Sequence, residues 1–142
     1  MDTRAFVHLF LILFLSLTLS AQTVTQKQIH EWQKLYPKLN SKMARMEEIL
    51  NYIDRFLGNN EFKNEILEKT AEFSFLAQQS TKNTPSYLTK EDQKLFVNAL
   101  NTTHELGNKL YHAVKSNNNR EAKDLFSKLD TLRRNSHSKW AL

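Results

Sequence analysis

NNREAKDLFSKLDTLRRNSHSKWAL, residues 118–142, reads as one amphipathic helix. Ala122, Leu125, Phe126, Leu129 and Leu132 recur at three- and four-residue steps, and charged side chains fill the positions between them. Asn118 with Glu121 makes a helix start signal, because a short polar side chain can accept from the free N–H groups of the first turn. No proline or glycine interrupts the run before Trp140. His137 follows Phe126 by eleven residues, which is three turns plus about 20°. With Phe126 taken as a core position, His137 is expected to face inward too.

Working outward, the same periodicity recurs three times. Thr89, with Glu91 and Asp92 in the first turn, opens a helix carrying Phe96, Ala99, Leu100, Thr103, Leu106, Leu110 and Ala113. Gly107 weakens that helix by roughly 1 kcal/mol relative to alanine, so a close approach by a neighbouring helix is the expected reason for it. Residues 115–118 form a short turn, and 80–88, with Pro85, the longest loop. A helix over about 61–79 buries Phe62, Ile66, Phe73 and Leu76 or Ala77. Another runs over about 41–57, capped by Asn40 or Ser41. Its stripe is Met43, Met46, Leu50, Ile53 and Leu57, widened by Ile49 and Phe56. Gly58 suits the left-handed residue that ends it.

Two glycines and two prolines in 142 residues exclude a many-turned β fold. The expected fold is all-α: an antiparallel up-down-up-down four-helix bundle over residues 40–142. Residues 22–39 form an extra leader. There Ile29, Trp32, Leu35 and Tyr36 fall at helical spacing until Pro37. Residues 1–21 carry Arg4, a nearly unbroken apolar run from Ala5 to Leu19, and small residues at Ser20-Ala21. That pattern reads as a secretory signal peptide; an uncleaved membrane anchor is the alternative, though the apolar run is short for a membrane span. The processed chain is expected in the periplasm, with no stable membrane association.

With no cysteine, disulfides, thiolate metal sites and covalent haem attachment are excluded. The net charge of +5 is spread among carboxylates rather than gathered, which argues against nucleic acid. Nothing resembles a nucleophile–base pair, a glycine-rich phosphate loop or a carboxylate dyad, so no enzymatic activity is expected.

In the expected topology the first and last bundle helices are antiparallel neighbours. Met46 and His137 then sit at matching depth, each roughly 8 Å from the same end. A thioether and an imidazole facing one another suit haem iron. They close both axial positions and favour electron transfer over oxygen chemistry. Zinc would require more nitrogen, thiolate or carboxylate ligands. Ile49, Leu50, Phe96, Leu100 and Leu129 are candidate walls. Arg133 and Arg134, with Arg45 or Lys42, are candidate partners for haem propionates. A methionine on an apolar stripe also serves as ordinary core packing, and a histidine near a helix end as an exposed group favourable to the helix dipole. A haem-free bundle binding another envelope protein is therefore the alternative. Paired metal binding by His104 and His112 is weaker, because about 80° separates them on their helix.

Residues 41–142 resemble the soluble cytochrome b562 family, periplasmic four-helix haem proteins. The tail carries the likeness: Asn119-Arg-Glu-Ala-Lys123, then Leu129, Thr131, Arg133, Asn135 and His137-Ser-Lys-Trp140 follow the family's closing helix without a gap. The resemblance implies non-covalent haem b, with His137 as one axial ligand and Met46 as the other, and Phe96 packing on the haem. It also implies a redox partner protein, which the sequence does not identify. Met43, one turn before Met46, is a competing ligand. The leader, Gly107 and His112 have no obvious family counterpart.

Overall fold

The computed structural model describes residues 24–140, and those residues are helical apart from turns and one loop. The segment read as a signal peptide lies outside the described residues. In order come α1 (Gln26–Leu35), α2 (Leu39–Phe56), a 3-10 turn (Asn60–Phe62), α3 (Lys63–Ser80), α4 (Lys90–Lys115) and α5 (Asn119–Trp140). The chain divides within α1, and residues 31–142 form one compact unit.

Helix ends follow local chemistry. The Ser41 hydroxyl, not Asn40, accepts from the Lys38 N–H at 3.2 Å, so α2 begins two residues before the expected start. Gly58, at φ +92°, ends it in the left-handed conformation. Thr89 accepts from the Asp92 N–H, and Asn118 from the Glu121 N–H. Asn117 takes φ +58° after α4. The Asn117 N–H then reaches Val114 O, and the Asn118 N–H reaches Ala113 O, the double bond that closes a helix end. Sequence reading saw only a turn there.

From α2 to α5, consecutive helices pack side by side. Early residues of one meet late residues of the next. Lys63 donates to Lys115 O and Asn117 Oδ1, while Ser74 meets His104. Arg45 pairs with Glu72, and Phe96 with Trp140. The backbones of α2 and α5 make no comparably close interface. Ile49, Ile53, Ile66, Phe73, Leu76, Phe96 and Leu110 fill the core at 2% exposure or less. Burying that much apolar surface is what holds helices too short and polar to persist alone.

α3 is the central element, and its burial is only partly apolar. Thr70, Glu72, Ser74 and Ser80 are buried beside Phe73 and Leu76. Thr70 and Ser80 turn their hydroxyls back onto Ile66 O and Leu76 O, at 2.6 and 2.8 Å, which removes the cost of burying them. Gly107 answers its expectation. A Cβ there would overlap Ser74 Oγ and lie 3.2 Å from Phe73 Cδ1, so any larger residue would force these α3 side chains to shift. Leu35, expected on an apolar face of the leader, is 62% exposed, whereas Trp32 is buried against Phe75.

Candidate functional site

Where α2 and α5 stay apart, side chains line a half-open cavity of about 60 Å³. Met46 lines it from α2, Phe96 from α4, and Arg133 and His137 from α5. Met43 lines it too. Met46 is buried, whereas Met43 and His137 are half-buried. The α5 side chains arrive there because Arg133 and His137 are one turn apart, as are Met43 and Met46 on α2. Phe126, the reference for His137 in the sequence argument, is itself only half-buried; Leu125 and Leu129 carry the buried line of α5. His137 consequently sits on the flank of the core, at the cavity, rather than in its centre.

The walls are mostly apolar. Leu50, Leu100 and Leu129 lie where expected, and Phe73, Ala99 and Trp140 join them. Ile49 is buried but is not a wall of this cavity. The Trp140 ring meets Phe96 edge-on, with centroids 5.5 Å apart. Its Nε1–H is buried without an acceptor, so a polar donor stands unused beside the cavity. The sequence pattern does not mark Glu47, and it marks Trp140 as part of the closing helix rather than as a wall of the cavity. The step of three from His137 to Trp140, and of four from Met43 to Glu47, was the available signal.

At the rim, Arg133 Nη1 donates to Glu47 Oε1 at 2.6 Å, across the gap between α5 and α2. Its other side reaches Asp130 at 2.8 Å. These bonds, Asp130's above all, hold the guanidinium's pKa above its ordinary value. Arg134 pairs with the same Asp130. The other two expected cations lie elsewhere, and neither lines the cavity. Arg45 is gripped by Glu72, at 2.8 and 3.0 Å, and by Glu48. Lys42 donates to Pro37 O and Asn83 Oδ1. Both were drawn away by acceptors that neighbouring segments supply.

His104 and His112 do not form a pair. Asn108 donates to His104 Nε2, which leaves Nδ1–H to donate to Ser74 O at 2.9 Å. His104 thus stitches α4 to α3. Among the described residues no group of three or more His, Cys, Asp or Glu side chains is placed to hold a metal ion. No described helix is long and apolar enough to cross a membrane.

Two ligand-capable side chains, flat apolar walls and a cation at the rim are what an iron macrocycle requires of a protein. Comparison with known proteins gives no match among curated proteins and none among solved structures. The family model for cytochrome b562 matches residues 38–140, from the residue before α2 to the last residue of α5. The match spans well over half of the chain and takes in every residue of the cavity, and the chain belongs to the cytochrome b562 family.

Proposed function

We propose that the protein is a periplasmic electron carrier that binds one haem b, without covalent bonds, between α2 and α5. The four helices α2 to α5 then run up-down-up-down, as the meeting of early and late residues in successive helices supports. One observation carries the reading: Met46 and His137 line the same cavity in a member of this family. Met46 would hold the iron by its thioether and His137 by an imidazole nitrogen. Phe96 and Leu100 would supply apolar walls, and Arg133 would meet a propionate. When bound, the haem supplies a one-electron couple whose reduced state the sulfur ligand favours.

The residues fit the group, but the half-open cavity between them is small for it. A cavity of about 60 Å³ is far below the roughly 300–1,000 Å³ of small-molecule sites. Entry therefore requires α2 and α5 to part. Their slack backbone interface allows it, with the Arg133–Glu47 pair as the tie across the rim. With Met46 and His137 both holding the iron, no position would be left for substrate, which would accord with a carrier rather than an enzyme. The apolar run of residues 1–21 supports export and the periplasmic location.

The test is the absorption spectrum of protein refolded with haemin, in the oxidised and reduced states. The unaltered protein and Met43→Ala should both give a sharp six-coordinate low-spin pattern. Met46→Ala should lose the sulfur signature, and His137→Ala most of the haem. A low-spin spectrum unchanged in both Met46→Ala and His137→Ala would eliminate the pair. Loss in Met43→Ala alone would transfer the role to Met43. A protein that takes up no haem would leave the haem-free interaction module.

A further inference from the structure

A second cavity, about 250 Å³, lies between the end of α1, the start of α2 and the end of α3. Its lining includes Trp32, Tyr36, Pro37, Lys42, Phe75 and Gln79. None of these residues lines the cavity at Met46 and His137. Trp32 and Phe75 form an aromatic wall, with ring centroids 5.4 Å apart. Lys42 is the unusual member. It is 7% exposed, yet its ammonium donates only to neutral oxygens, Pro37 O at 3.2 Å and Asn83 Oδ1 at 2.9 Å. Among the described residues no carboxylate forms an ion pair with it. Arg45, one turn later on α2, has two.

An ammonium has three N–H donors, and two of Lys42's are used. Burying a cation without a counter-charge is unfavourable, and burial duly pushes the pKa of Lys42 down. The fold keeps this cost beside an open space whose walls are largely aromatic and apolar. We propose that this cavity binds a small organic carboxylate with a flat apolar body. The carboxylate would take the free donor of Lys42 in a charge-assisted hydrogen bond, and its body would lie against Trp32 and Phe75. The space is larger than a simple inorganic anion fills, and the Trp32 and Phe75 rings offer such an ion nothing, while Gln33 and Gln79 leave polar groups at the wall beside Lys42. It is smaller than the usual range for drug-sized ligands, so one ring with a short acidic arm is the right scale.

Trp32, Tyr36 and Pro37 precede the segment matched to the family, so the site is partly built by sequence outside that match. The proposal does not rest on haem binding and stands if haem is not bound.

Phenylacetate and its neutral analogue phenylacetamide are the probes, titrated into the isotope-labelled protein. The indole N–H resonances of Trp32 and Trp140 serve as separate reporters of the two cavities. Phenylacetate should shift the Trp32 signal saturably and leave Trp140 unmoved. Phenylacetamide should bind about tenfold more weakly, the difference expected of one charge-assisted bond. Lys42→Met should erase that preference while the helical circular dichroism is retained. The acid–amide comparison in the unaltered protein decides the matter even if Lys42→Met does not fold. Equal binding of acid and amide, no shift at Trp32, or a shift at Trp140 instead would each overturn the proposal. So would a preference that persists in a folded Lys42→Met.

Discussion

The interface of α3 with α4 and the seam between α2 and α5 are built on opposite principles. At the first, Gly107 leaves no room for a methyl group, and Ser74 and His104 bond across the helices. At the second, methionine, leucine and tryptophan side chains hold the helices apart around a cavity, and a half-exposed ion pair bridges the rim. Small residues draw backbones together and large flexible ones keep them apart. A bundle with tight successive interfaces and one slack closing seam has a built-in place to open. The proposed haem site lies at that seam.

The comparison is broken most directly by matched leucine truncations. Leu110 is fully buried on α4, and Leu129 is 2% exposed on α5 beside the cavity. Leu110→Ala should cost the haem-free protein about 4–5 kcal/mol and Leu129→Ala about 2–3 kcal/mol, the two ends of the range for such substitutions. The slack seam can settle over the gap, whereas the tight core cannot. Urea denaturation of both variants reads the difference. Haem retention should rank them the other way, with Leu129→Ala releasing haem sooner. Equal costs would mean that the seam is as firmly packed as the core.

Gly107→Ala sharpens the same point from the tight side. Alanine should favour the isolated helix by roughly 1 kcal/mol. Here it should destabilise the protein by about 1–3 kcal/mol, because the new methyl meets Ser74 and Phe73. Adding Ser74→Ala removes the nearest obstacle and should recover much of the loss. The two substitutions should therefore couple by at least about 0.5 kcal/mol in a double-mutant cycle. Additive effects would show that the close approach is not what glycine is there for.

The helices and their approximate ends were readable because apolar spacing, Gly58, Thr89 and Asn118 all carry local signals. So was the family, from the run 119–140. α3 was the least legible helix, because Thr70, Ser74 and Ser80 are buried yet polar: Thr70 and Ser80 bond back to carbonyls of their own helix and Ser74 donates to His104 O on α4, none of which leaves a trace in an apolar pattern. The roles of Lys42 and Arg45 were misread for a related reason. Their partners, Asn83 and Glu72, are distant in sequence, and nothing in the spacing of α2 shows which acceptors a neighbouring segment will bring. Met46 and His137 could be placed on one cavity by counting turns from opposite ends. The size of that cavity could not, since it depends on how far the last helix stands from the first.

The smallest expected effect tests the rim. Glu47→Gln removes the carboxylate that Arg133 grips across the seam while keeping the shape of the side chain. With the pair's side chains 29% and 35% exposed, the loss should be no more than about 0.5–1 kcal/mol in the haem-free protein, shrinking as salt is added. Asp130 still holds Arg133, so the guanidinium should not collapse into the cavity. In the haem-bound protein the sign should reverse. Glu47 competes with a propionate for the same cation, so its neutralisation should tighten haem binding and quicken uptake, as read by stopped-flow absorption. A variant that lowers haem-free stability and weakens haem binding alike would mean that Glu47 supports the bound state. The Arg133–Glu47 pair would then be part of the finished site and not a latch across its opening.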